Sequence, residues 1–151
     1  MTENTAPLLI ELHYLPCLAY FSAIKNAETV FLETCENFQK QTCRNRCYLL
    51  GAHQIACLTI PVKHSPQKIL ICDVAIDYSQ RWQPIHWRTI VSAYRKSPFF
   101  DYYIADFEKV FTSQPKFLFD FNEQLLTICL KSLKWSKSIK FTDTYNFLPE
   151  N

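Results

Sequence analysis

A single glycine, Gly51, serves a chain of 151 residues. Phosphate loops of the Walker and dinucleotide types need several glycines to bring backbone amides close to phosphate, so both classes are excluded. Gly51 stands in Gly51-Ala52-His53-Gln54, between Cys47-Tyr48-Leu49-Leu50 and Ile55-Ala56-Cys57-Leu58-Thr59-Ile60. Two short apolar runs around a glycine-bearing turn predict a β-hairpin, and Pro61 ends its second strand.

Upstream, Leu8-Leu9-Ile10-Glu11-Leu12 is a short strand candidate. His13-Tyr14-Leu15-Pro16 follows as a loop, because the residue before proline is pushed away from helical geometry. Leu18 to Asn26 reads as a helix on the spacing of Leu18, Phe21 and Ile24 or Lys25. Thr29-Val30-Phe31-Leu32 is the next strand, which completes the start of an α/β unit. Past the hairpin, Ile69 to Ile76 is predicted to be a strand crossing the sheet. Gln83-Pro84 opens a helix with Trp87, Ile90, Val91 and Tyr94 as its core stripe. Ser97-Pro98 ends it and starts another, whose buried face is Phe99 or Phe100, Tyr103, Phe107, Val110 and Phe111. Asp120 with Glu123 resembles a capping box for a third helix, packed through Leu125, Leu126, Cys129, Leu130 and Leu133. Ser138 to Tyr145 adds a last strand. The fold class is α/β or mixed α+β: one domain over residues 1–151, with an N-terminal sheet, a crossover helix and a hairpin, then about three C-terminal helices.

Apolar residues make up 48% and charged residues 20%, which excludes a disordered chain. A net charge of +2 is too mild to indicate a nucleic-acid partner. No apolar run approaches the roughly 20 residues that span a bilayer. The first residues carry Glu3 and Glu11 and no cation, unlike a signal peptide, so a cytoplasmic protein is expected. The seven cysteines include no C-x-x-C pair, and Cys35, Cys43 and Cys47 match no zinc spacing. They read as free thiols, and no metal or cofactor is indicated.

Three stretches carry candidate chemistry. Lys40-Gln41-Thr42-Cys43-Arg44-Asn45-Arg46-Cys47-Tyr48 packs three cations, two amides and a hydroxyl into nine residues. On an extended segment Arg44 and Arg46 share a side, and two guanidinium forks suit a phosphate or carboxylate. The structural alternative is a solvated loop with ion pairs to Glu33 and Glu36. In Pro84-Ile85-His86-Trp87-Arg88, His86 and Arg88 are placed in a first helical turn, where free amides favour an anion. His86 is the general acid/base by residue type, against the alternative of a packed histidine. His13-Tyr14-Leu15-Pro16-Cys17 lies at a strand end, where ligands of α/β folds gather. Its alternative is a rigid turn that packs Tyr14 and Leu15.

Taken in order, these stretches resemble the WbqC-like protein family. The matching residues are Tyr14-Leu15-Pro16 with Tyr20-Phe21, Glu33 through Cys47 with its Lys-Gln-Thr-x-Arg-Asn-Arg core, Leu58-Thr59-Ile60-Pro61-Val62, His86-Trp87-Arg88-Thr89-Ile90, and Ser97-Pro98-Phe99-Phe100. The form is similar to that of the Bacteroidetes branch. The resemblance implies a protein of surface-polysaccharide (O-antigen) gene clusters that transfers an amino acid such as glycine to an amino sugar. It also implies a longer C-terminus than one stopping after Phe147-Leu148-Pro149, hence a shortened member. On this reading the partner is a small molecule, a nucleotide sugar, with no nucleic acid. Lys40, Arg44, Asn45, Arg46 and Arg88 would hold its anionic part, His13, Tyr14 and Trp87 would line or stack on it, and His86 would act as base. A non-catalytic binding module and an inactive fragment are the competing readings.

Overall fold

The computed structural model describes residues 6–145. The expected shortening after Phe147-Leu148-Pro149 lies outside them. Three short parallel strands make one sheet in the order β1 (Leu8–Ile10), β2 (Thr29–Leu32), β5 (Ser138–Phe141). Helix α1 (Leu18–Asn26) crosses between β1 and β2. The hairpin β3 (Arg46–Leu50) and β4 (Ile55–Thr59) forms a separate two-stranded sheet, with Leu50 opposite Ile55 beside the Gly51 turn. Helices α2 (Trp82–Tyr94), α3 (Phe100–Thr112) and α4 (Leu118–Ser132) follow. The mixed α/β architecture, the crossover helix and the hairpin are as the sequence implies.

Burial fixes the faces. On β2, Val30 and Leu32 are fully buried between half-buried Thr29 and Phe31, the alternation of a sheet with one core face. Helix α4 contributes more to the core than any other element, with Leu118, Phe121, Leu125 and Leu126 buried at helical spacing. Helix α1 packs through Tyr20 and Ile24, whereas Leu18, placed in its apolar face on spacing, is 87% exposed.

The chain departs from the sequence reading at several points. Ile69 to Ile76 is not a strand. It contains a 3-10 turn at Ile71–Asp73, with isolated bridges from Leu70 to Asn37, Ala75 to Phe117 and Ile76 to Val62. The buried residues are Ile71, Val74 and Ile76, with only Ile71 inside the 3-10 turn. Helix α2 starts at Trp82, so Pro84 is its third residue, His86 its fifth and Arg88 its seventh. His86 and Arg88 therefore lie beyond the first turn, and the helix N-terminus gives them no anion site. The buried pair on α2 is Trp82 and His86; Trp87 and Ile90 pack part-buried beside them, and Tyr94 is exposed. Helix α4 has Phe117 at its N-cap with no side-chain cap, so Asp120 complements the dipole of the first turn and no capping box forms. No helix among the described residues is long and apolar enough to cross a membrane.

Candidate functional site

All three parallel strands end at the same edge. There the chain leaves β1 through Glu11, Leu12, His13 and Tyr14, still alternating. Leu12 and Tyr14 are buried in the core, while Glu11 and His13 stay part-exposed. The Glu11 and His13 side chains meet at 3.1 Å, through Oε1 and Nε2. Tyr20 anchors this turn by donating to the Glu11 carbonyl at 3.0 Å, and its ring lies 4.9 Å from that of His13. Partial burial pushes the Glu11 carboxyl up. Its own backbone amide, the His13 hydrogen bond and the charges of His13 and Arg44 outweigh this and leave it below the ordinary carboxylate range.

The donor-rich turn docks on this strand end. Tyr14 N–H donates to the Cys43 carbonyl at 2.8 Å. Gln41 has a φ of 58°, and Asn45 N–H closes on the Thr42 carbonyl, so residues 41–45 form a turn. That turn breaks the two-residue alternation expected to align Arg44 with Arg46. Arg44 reaches Glu36 instead, at 2.7 Å through Nε and 2.6 Å through Nη2. This fork-to-carboxylate pair is largely buried, and the Glu36 hydrogen bonds raise the guanidinium pKa further. The ion pair foreseen as the structural alternative thus forms at Glu36. Arg46 donates across the hairpin to Thr59 Oγ1 at 3.2 Å. Asn45 is buried, and exchanges hydrogen bonds with Ile60 through its side-chain amide and its backbone carbonyl. Asn122, on α4, donates to the Arg44 carbonyl at 2.7 Å. Lys40 is exposed.

Tyr14 links the third stretch. Its hydroxyl lies 2.9 Å from His86 Nδ1, and the His86 ring also bonds to the backbone carbonyl of Thr59. With Tyr14 donating to Nδ1, the neutral ring carries its proton on Nε2. His86 is only 4% exposed. Burial lowers its pKa to about 4, partly opposed by the Thr59 bond. Trp82 and Phe121 close around the pair, with Trp82 5.1 Å from His86 and Phe121 6.1 Å from Tyr14.

The structure therefore brings His13, Tyr14, the Lys40–Arg46 turn and His86 into one connected region, but places Tyr14 and His86 inside it. The Trp87 ring packs at a tilt against Phe111, 5.4 Å between centroids, as part of the packing between α2 and α3. Arg88 is exposed, bonds to the Pro84 carbonyl, and borders a shallow depression with Gly51, Ile85 and Ser92.

Several residues at the edge were given no place in the site by the sequence. Glu11 stands two before His13, so strand alternation alone places both on one side. Glu33, at the end of β2, is buried and accepts from the Cys35 amide and the Thr142 hydroxyl, each at 2.7 Å. Thr34 donates to the Thr142 carbonyl at 2.6 Å, tying β2 to the end of β5. Nothing local in the sequence signals the long-range partners Glu33–Thr142 or Arg44–Asn122. Among the described residues no group of three or more His, Cys, Asp or Glu side chains could hold a metal ion, and all seven cysteines are free.

No curated protein and no solved structure matches this chain. The model of the WbqC-like protein family matches residues 12–151, nearly the whole chain. The chain belongs to the WbqC-like protein family.

Proposed function

We propose that this WbqC-like protein is a transferase of bacterial surface-polysaccharide (O-antigen) biosynthesis that moves an aminoacyl group, such as glycyl, onto the amine of an amino sugar. The observation that supports it is the Glu11–His13 pair at the carboxyl edge of the parallel sheet, beside the Glu36–Arg44 fork. Ligands of α/β folds bind at such edges. A histidine whose Nε2–H is held by a carboxylate presents Nδ1 as its basic nitrogen.

In this reading the sugar amine attacks the carbonyl carbon of an activated aminoacyl donor. The N–C bond forms as the bond to the leaving group breaks. His13 Nδ1 takes the amine proton and delivers it to the leaving group. Exposed Lys40 and part-exposed Arg46 hold the phosphates of a nucleotide sugar. Arg44, already neutralised by Glu36, shapes the floor of the site. His86 and Tyr14 act as positioning residues that hold the Lys40–Arg46 turn against the strand end. A cytoplasmic location belongs to the same reading.

Titration calorimetry with UDP- and dTDP-amino sugars tests the binding part. Lys40→Ala and Arg46→Ala should each weaken binding about tenfold, while Glu11→Gln and His13→Gln leave it within about twofold. Glu11→Gln and His13→Gln should instead slow aminoacyl transfer by about a hundredfold. Binding unchanged in both cation variants removes the site. A second reading, a non-catalytic nucleotide-sugar-binding accessory protein, is favoured by the saturation of Arg44 by Glu36 and the enclosure of His86. It gains if binding follows Lys40 and Arg46 but no transfer occurs.

A further inference from the structure

We infer that the connection between α2 and α3 is a membrane-docking tip that seats on an anionic lipid surface. Of residues 94–103, only Phe100 is not exposed. Tyr94 is 46% exposed, Phe99 76%, Tyr102 78% and Tyr103 36%. Such a run of large rings is what a folded chain ordinarily removes from water. None of the four belongs to the core cluster.

The tip is built, not frayed. Ser97 N–H bonds to the Tyr94 carbonyl at 2.8 Å, and Tyr102 N–H to the Phe99 carbonyl at 3.0 Å. Phe99 itself has a φ of 62° and a ψ of 12°, a left-handed conformation unfavourable for a residue with a Cβ. The strain holds a phenyl ring out in solvent at the turn, where it contributes nothing to the core.

Charge decides the occupant. Arg95 and Lys96 sit between the aromatic residues, both exposed, and Asp101 is the one acid among residues 94–103. Asp101 is already matched to the N-terminal turn of α3. Tyrosine and phenylalanine settle at the level of lipid headgroups, and lysine and arginine pair with anionic lipid there. The shape agrees: exposure on nearly every residue describes a protruding point, which enters a soft surface. A second copy of the chain fits less well. The four rings expose roughly 500 Å² together, below the about 800 Å² per partner of a stable protein interface.

Co-sedimentation with vesicles tests this. The full chain is mixed with phosphatidylcholine vesicles with or without phosphatidylglycerol. Phe99→Gly is the key variant, since glycine suits the φ of this position and the fold is kept, which circular dichroism checks. The wild type should sediment with the anionic vesicles, less so at high salt, and remain in solution with neutral ones. Phe99→Gly should weaken binding about tenfold, and the double variant Arg95→Gln/Lys96→Gln by at least as much. The proposal is overturned if the wild type ignores anionic vesicles, or if both variants bind as it does. It is also overturned if light scattering shows a dimer that Phe99→Gly dissociates, because the tip then meets a second copy.

Discussion

Titration of His86 gives the sharpest perturbation of this fold. The ring is buried and bonded to Tyr14 and Thr59, and its pKa falls to about 4. An unfolded histidine titrates near 6.5. Between those values the unfolded chain binds a proton that the folded chain refuses, so stability rises with pH in that window. The contribution is whole above pH ~6.5, declines as pH falls, and is fully lost below pH ~4. At about 1.4 kcal/mol for each pH unit, the gap amounts to roughly 3 kcal/mol, a large share of the 5–15 kcal/mol that holds a typical domain together. Carboxylates such as Glu11, whose pKa is lowered in the fold, also weaken the protein in acid, so the histidine must be isolated by difference. Urea unfolding of the wild type and of Tyr14→Phe/His86→Phe, measured from pH 7 to pH 4, does this. The double variant removes the titrating ring and its hydroxyl partner together, avoiding an orphaned polar group on either side chain. Wild-type stability should fall by roughly 3 kcal/mol more than that of the variant over the range. Parallel curves would refute a buried, neutral His86 and with it the claim that this histidine positions rather than reacts.

Glu36→Gln should destabilise by about 3 kcal/mol in chemical denaturation, because it strands a largely buried guanidinium. The paired replacement Glu36→Leu/Arg44→Met should cost much less, and equal losses would mean the pair is not buried. Asn122→Ala removes the donor to the Arg44 carbonyl, and should cost about 1–3 kcal/mol by the same measurement. Phe99→Gly should raise stability by about 1 kcal/mol in thermal unfolding, since the ring is 76% exposed and the left-handed backbone is relieved.

Where local pattern decides structure, the sequence was enough. Leu18–Asn26, Thr29–Leu32 and the hairpin around Gly51 form where spacing and turn chemistry put them. Ile69 to Ile76 failed because an apolar run of strand length is compatible with either backbone. Its bridges to Asn37, Val62 and Phe117 come from distant segments that periodicity does not encode. The α2 stripe failed for a related reason. Trp87, Ile90, Val91 and Tyr94 satisfy helical spacing, but the position of α3 leaves Tyr94 in solvent and turns Trp82 and His86 to the core. The sequence also identified the three polar stretches that meet, without saying which groups would be spent on one another.

That last distinction changes where chemistry can occur. Donor density drew attention to Arg44 and Asn45, and residue type to His86, yet those groups have internal partners: a carboxylate, a backbone carbonyl and a tyrosine. A buried charge must be paired, and a buried amide must find hydrogen bonds, or the fold pays the desolvation penalty. Dense polar sequence near a core is therefore first claimed by the fold. Under the proposed function, what is left for a ligand is the remainder at the rim: Glu11 with His13, Lys40 and Arg46. Comparing Glu36→Gln with Glu11→Gln separates the two roles: the first should be read in denaturation, and the second in turnover.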